Sequence, residues 1–368
     1  MAVYKIFPTQ DTTLYSLYPE MNTGLDEIIE ASLEVGNYGT PSPQASRFLI
    51  QFDSNEITDV IDSRIYGSQW QSNLKCFVAN VTGLNSDTTV EAYPISQSWN
   101  MGTGRFAYSP EVQNGASWIW RDYQGGIAWT TSSFSPDSTG SYSSSVDPGG
   151  ATWYTTYSGS QTFGYYTDKD INIDVTDITI QWYNSFLDNN GFIVKQKDEF
   201  IDSEDVQPKM KYFSIDTHTI YPPCLEFKWI DATFNTGSST LPTINVQPFV
   251  VTVGENPGYF YPDSTNEFRV YSRPEYPTRV FSTASYFTQN SYLPDNSYYA
   301  IKDLDTDEYV VDFDTTYTQL SKDETSSFFT LYMKGLQPER YYKILIKTTV
   351  DGSTAVLDNY YYFKIING

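Results

Sequence analysis

Chemistry-bearing side chains are scarce in this sequence. Its 368 residues include two cysteines, Cys76 and Cys224, and one histidine, His218. Neither cysteine has a neighbour at metal-ligand or redox spacing, so neither a disulfide framework nor a zinc site is indicated, and both read as buried, reduced thiols. One histidine cannot furnish a histidine-rich metal site, and a Ser-His-Asp triad would have to be built on His218 alone. No GxSxG elbow is present, and His218 lies in the polar stretch Asp216-Thr217-His218-Thr219, so it reads as a structural or exposed loop residue. Basic residues are few as well: 22 Lys plus Arg against 45 Asp plus Glu leave a net charge of −23. That balance argues against binding DNA or an anionic membrane through bulk electrostatics. No run of about eighteen apolar residues occurs, and MAVYKIFPTQ has no basic segment followed by an apolar one. The expectation is a soluble chain made in a cytoplasm, with no membrane insertion.

What the sequence has in excess is aromatic surface. It carries 32 Tyr, 22 Phe and 8 Trp, which in so acidic a chain must be buried in cores or used at interfaces. Short strand-like runs alternate with turn signals throughout, which predicts an all-β protein. Ile171, Ile173 and Val175 alternate with Asn172 and Asp174, and Leu225, Phe227 and Trp229 alternate with Glu226 and Lys228. Each is a half-buried strand of the kind antiparallel sandwiches use. Phe48–Phe52, Lys75–Val81, Val90–Ile95, Phe192–Lys195 and Met210–Phe213 are further strand candidates. The length predicts at least two compact units, divided as residues 1–233, a linker at 234–242, and residues 243–368. The polar stretch Thr130–Gly150 is read as a long loop inside the first unit, because Trp118, Trp120, Trp129 and Trp153 flank it.

Near the C-terminus, Leu336, Pro338 and Tyr342 stand at the spacing of a tyrosine corner, in which the Tyr342 hydroxyl would reach back to an upstream backbone group. With the Asp351-Gly352 turn and the final run Tyr360–Ile366, this predicts an immunoglobulin-like or fibronectin III-like sandwich.

Candidate sites are few. Trp118, Trp120, Tyr123, Trp129, Trp153 and Tyr154 form an aromatic cluster with two readings: exposed indoles stack on sugar rings, whereas buried ones fill a core or an intersubunit contact. Packing is the favoured reading, with Trp118 and Trp120 placed on one face of a strand by their spacing of two. Carboxylate pairs suited to a glycosidase carry no signal among so many acids. Asp303-x-Asp305-x-Asp307 departs from a calcium loop because Glu308 stands where glycine is needed, and it reads as a solvated acidic hairpin. Gly102-x-Gly104 lacks the third glycine of a phosphate cradle and reads as a turn.

Several motifs in one linear order resemble the DNRLRE family, jelly-roll modules related to carbohydrate-binding domains. They are Asp11-Thr12-Thr13, Asn22-Thr23-Gly24, Arg47-Phe48-Leu49-Ile50-Gln51-Phe52-Asp53, Ser98-Trp99 with Gly102 and Gly104, and the closing Ile173–Asp177, Gln181-Trp182 and Asn189–Lys195. Over its whole length, including Thr219–Pro223 and Gly335–Tyr342, the chain resembles virion structural proteins of contractile-tailed marine cyanophages. The resemblance implies an N-terminal jelly-roll and a non-enzymatic component of a virion assembled in the host cytoplasm. It also implies contacts with other virion proteins and a symmetric homo-oligomer. The rival expectation is an adhesin for host-surface glycan, and a third is a depolymerase. No cofactor is expected; by family analogy alone, calcium could be held by Asp11, Asp26 and Asp53.

Overall fold

The computed structural model describes residues 2–34, 44–65, 69–130, 139–143, 148–197, 199, 208–234, 241–276 and 290–367. The protein is all-β, and its described residues include two short helices, Ser54–Ser63 and Thr176–Tyr183. Both are too short to leave a sustained apolar period, and Ser54–Ser63 buries only Ile57 and Val60. The chain divides into two compact units. Ile6–Ser63 and Gln71–Glu226 form the N-terminal one, while Met1–Lys5, Arg64–Trp70 and Phe227–Gly368 form the other. Most of the predicted linker, residues 235–240, lies outside the described residues.

The N-terminal unit is organised on an eight-stranded sheet. Its strand order is Gly159–Phe163, Thr88–Pro94, Phe192–Gln196, Gln44–Gln51, Ile28–Glu34, Lys209–Phe213 and Val78–Thr82, with Gln10–Tyr15 also paired to Gln44–Gln51. Every residue of Phe192–Gln196 is buried, and so are the six inner residues of Gln44–Gln51. Because successive side chains point to opposite faces, burial of a whole strand means that both faces are covered. Leu49 and Ile193 pack into a cluster with Trp99, Trp118, Trp129 and Trp153. By alternation Phe48, Ile50, Phe192 and Val194, all fully buried, point the other way. A second pairing joins Ile171–Asp174 to Trp70–Cys76, and here the predicted alternation is plain: Ile171 and Ile173 are buried, Asn172 and Asp174 exposed. In Cys224–Trp229 the polar face differs from expectation. Glu226 is buried, made tolerable by the Lys75 ammonium at 2.9 Å. Thr130–Gly150 is not all loop: Thr139–Ser143 pairs antiparallel with Pro148–Tyr154.

The C-terminal unit is a sandwich of two sheets. One has the order Phe249–Gly254, Thr265–Pro274, Ser327–Tyr332, Ser321–Lys322, and the other Tyr259–Phe260, Ser353–Ile365, Tyr341–Val350, Tyr298–Asp303, Tyr309–Val311. Aromatic rings fill its core: Phe268 and Tyr299 both stack on Phe329, with centroids 5.2 and 4.2 Å away.

Candidate functional site

Three segments of the N-terminal unit meet at one buried asparagine. The Asn22 amide donates to the carbonyls of Met101 (2.7 Å) and Ala116 (2.8 Å), and its Oδ1 accepts from the Gly104 N–H at 2.8 Å. Glycine is required around it by contact. A Cβ on Gly24 would stand 2.0 Å from the Met101 oxygen, one on Gly104 2.0 Å from the Asn22 oxygen, and one on Gly102 2.3 Å from Asn22 Oδ1. The Asn22-Thr23-Gly24 turn and the Gly102-x-Gly104 turn are therefore one structure. The Leu25 N–H then donates to the Gly104 carbonyl at 2.9 Å and the Phe106 N–H to Asp26 Oδ2 at 3.3 Å, which fixes residues 104–107 against the strands.

That anchored segment forms one wall of a cleft of about 500 Å³. Tyr15, Leu17, Tyr18, Arg105 and Phe106 line the wall, and Glu30, Ser32, Gln44, Ser46 and Lys211 the floor. Phe106 packs at 5.1 Å from Tyr15 and edge-on at 5.7 Å from Tyr18, yet remains 47% exposed. On the floor, Lys211 pairs with Glu30 at 3.0 Å and Ser32 donates to the same carboxylate at 2.6 Å. Burial, reinforced by the charges of Glu30 and Asp26, pushes the Tyr15 hydroxyl up, so it stays protonated. Burial also raises the Asp26 carboxyl, against the backbone N–H donors that lower it. Aromatic edges beside matched donors and acceptors are the equipment of a binding cleft. Sequence reasoning missed it because five separate segments supply the lining; the half-buried Tyr15 and the exposed Tyr18, three residues apart, were a local signal.

The predicted aromatic cluster is placed otherwise. Trp118, Trp129 and Trp153 are buried, while Trp120, Tyr123 and Tyr154 are half-buried. Trp118 does not share a strand face with Trp120: it lies in a bend closed by the Ser117 N–H donating to the Trp120 carbonyl at 2.8 Å, and only Trp120 enters the strand Trp120–Asp122. Beneath the indoles lies the fully buried Arg47, its guanidinium 4.8 Å from the Trp118 ring and 5.2 Å from that of Trp153. Arg47 forms a forked pair with Glu199 (Nε to Oε1 3.0 Å, Nη2 to Oε2 2.7 Å) and donates to the Gly150 carbonyl. Lys195 approaches Glu91 at 3.6 Å and Glu199 at 4.0 Å. The cluster is a core built around a paired buried charge.

The carboxylates suggested for calcium are not brought together as a cation site. Asp53 Oδ1 accepts the Asn55 N–H at 2.9 Å at the start of helix Ser54–Ser63. Asp11 is fully buried, with Oδ2 accepting the Ile215 N–H at 2.7 Å. Burial pushes its pKa up to about 8; the Ile215 N–H opposes the rise, and Asp216 and Asp26 add to it. Among the described residues no His, Cys, Asp or Glu side chains form a group that could hold a metal ion. His218 is 85% exposed, 3.6 Å from Glu27.

In the C-terminal unit, the acidic hairpin is less solvated than predicted. Asp303 is buried and takes a two-point pair from Arg340 at 2.6 and 2.7 Å. Burial works against its ionisation, but Arg340 and the N–H groups of Asp305 and Thr306 outweigh it and hold the carboxyl below its usual range. Leu336 packs in the core and Pro338 is exposed. The Tyr342 hydroxyl accepts the Gln337 N–H at 2.6 Å and donates to the Gln337 carbonyl at 3.2 Å.

No family model and no curated protein matches the chain. Among solved structures it is similar to a crystal structure of Parabacteroides merdae β-glucuronidase, with 8% identity and a TM-score of 0.15 over 96% of this chain and 36% of that one. A second structure of that enzyme, with glycerol in its active site, gives 9% identity and a TM-score of 0.15 over 98% and 35%. The chain thus spans about a third of those enzymes' length, and likenesses this weak carry no argument about fold or activity.

Proposed function

We propose that this chain is a non-enzymatic structural component of a tailed-bacteriophage virion, decorating or joining neck, tail or capsid surface through protein–protein contacts. The resemblance in sequence supplies the context. The observation that carries the reading is the distribution of aromatic side chains. The tryptophans best suited to hold sugar are packed inside, whereas tyrosines and a phenylalanine stand out in water on both units. Tyr166 is 96% exposed, Tyr276 77%, Phe186 74%, Tyr165 72% and Tyr360 71%. Rigid aromatic side chains on sandwich surfaces offer large contact area at small entropic cost. Quantitative proteomics of purified particles tests the proposal: a fixed copy number per virion supports it, and absence from intact particles overturns it.

A second reading, a host-glycan adhesin, is favoured by one observation, the open cleft beside Tyr18 and Phe106. It moves the sugar site away from Trp118 and Trp120. Glycan-array signal lost in Phe106→Ala and kept in Trp120→Ala would support this reading, and no signal with the parent protein would remove it.

A further inference from the structure

The cleft at Tyr18 and Phe106 presents two unlike surfaces to a ligand. Its wall is apolar and half open to water: Leu17, Tyr18 and Phe106 are all exposed, and the Phe106 ring stands 5.1 Å from Tyr15 and 5.7 Å from Tyr18. The backbone behind that ring is tied down. Asp26 Oδ2 accepts the Phe106 N–H at 3.3 Å, the Gly104 carbonyl takes the Leu25 N–H at 2.9 Å, and the Tyr108 N–H closes a turn on the Arg105 carbonyl at 3.1 Å. A ring already held at the rim of a cleft gives up little freedom when a ligand covers it.

The floor is polar, and its charges are balanced from within. Lys211 pairs with Glu30 at 3.0 Å, Ser32 donates to the same carboxylate at 2.6 Å, and Arg105 at the rim pairs with Glu27 at 3.4 Å. Each cation of the cleft therefore has a carboxylate, and each carboxylate has a donor, Asp26 having the Phe106 N–H. A ligand that carries a carboxylate or an ammonium group is answered only by breaking one of these pairs, which leaves a partly buried charge without its partner. An anion also approaches a chain of net charge −23. Hydroxyl groups need no such exchange. A hydroxyl can accept from Lys211 or donate to Glu30 while that pair stays intact, because an ammonium has three donors and a carboxylate about four acceptor sites. Ser46 Oγ accepts the Ser32 N–H at 3.0 Å and keeps its own proton to donate.

We infer that this cleft takes an uncharged sugar ring and discriminates against acidic and amino sugars. A pyranose has the matching make-up: a face of C–H groups for Phe106 and Tyr18, and hydroxyls along its edge for the Lys211–Glu30 pair and Ser46. The volume of about 500 Å³ lies within the ~300–1,000 Å³ range of pockets that enclose small ligands, so the end of an oligosaccharide fits. This ligand class rests on the adhesin reading of the cleft and adds the ligand's charge, which that reading leaves open.

The test applies the full chain to an array that sets neutral hexose oligosaccharides beside oligosaccharides of the same length bearing uronate or ammonium groups. Neutral ligands should bind roughly tenfold or more above the charged ones, the worth of about one hydrogen bond to a charged group, and Phe106→Ala should abolish that signal. Two further variants, checked for folding by circular dichroism, unbalance the charge. Glu30→Gln leaves the Lys211 ammonium without its carboxylate, and Glu27→Gln does the same for Arg105; each should raise uronate binding roughly tenfold. The Glu27 side chain is 43% exposed, so its variant keeps the test decisive if Glu30→Gln fails to fold. Uronate or amino sugars bound as well as neutral ones through Phe106 overturn the inference and leave the adhesin reading standing. Neutral binding indifferent to Phe106→Ala, or folded variants that gain no uronate binding, overturn it in the same way. A parent that binds no glycan of any kind overturns both.

Discussion

Replacing Asp11 by asparagine should remove a large pH dependence of stability. Asp11 is fully buried, and its pKa is about 8 instead of the ordinary 3.8. Between these values the folded chain holds a proton that the unfolded chain releases. Rising pH therefore favours unfolding: stability is fully present below about pH 4 and is lost progressively up to about pH 8. At about 1.36 kcal/mol per pH unit, a rise of about four units corresponds to roughly 5–6 kcal/mol. Asp11→Asn keeps an oxygen for the Ile215 N–H and has nothing to ionise. It should fall behind or match the parent near pH 4.5 and exceed it by several kcal/mol at pH 9. Asp26 and Asp216, whose carboxyls are also raised by burial, contribute the same sign in both proteins. Urea unfolding at several pH values, followed by tryptophan fluorescence, reads mainly the right unit, since Trp99, Trp118, Trp120, Trp129, Trp153 and Trp182 belong to it and Trp70 and Trp229 to the other. Equal pH dependence in parent and variant would mean that Asp11 is ionised in the folded protein and would refute the reasoning.

Gly24→Ala places a methyl 2.0 Å from the Met101 oxygen and should prevent stable folding, whereas Gly126→Ala, with nothing within 4 Å, should cost about 1 kcal/mol from its positive φ; thermal melts compare the two. Arg47→Met removes the forked partner of the buried Glu199, leaving it only Lys195 at 4.0 Å, and should destabilise by about 3–5 kcal/mol, with Arg47→Met plus Glu199→Leu recovering much of that in a urea double-mutant cycle. Tyr342→Phe removes the bond from the Gln337 N–H and should cost about 1–3 kcal/mol, visible as a lower Tm.

Legibility in the sequence followed the range of the interactions. Ile171 and Ile173 alternate visibly with Asn172 and Asp174 because one face of that strand meets water. Phe192–Gln196 shows no such period, because Trp118 and Trp153, about forty to seventy residues earlier, cover its second face. Lys195 and Gln196 are buried polar residues in that strand, and nothing local announces it. The Gln196 amide finds the carbonyls of Ala31 (3.1 Å) and Pro208 (2.7 Å), partners supplied by tertiary structure. The Tyr342 hydroxyl bond spans five residues, so spacing alone could suggest it. The cleft joins Tyr15, Glu30, Ser46, Phe106 and Lys211, a combination no window of sequence contains. Asn22 and Gly104 lay in motifs noticed separately, but their union through one side-chain amide needed coordinates.

The most direct test of the proposed virion role is electron cryomicroscopy of purified particles, with this chain traced in symmetry-resolved maps. The prediction is a repeated subunit of neck, tail or capsid surface, with the exposed Tyr165, Tyr166, Tyr276 and Tyr360 buried against neighbouring subunits. Particles in which the chain is absent, or in which these four side chains all face open solvent, would contradict it.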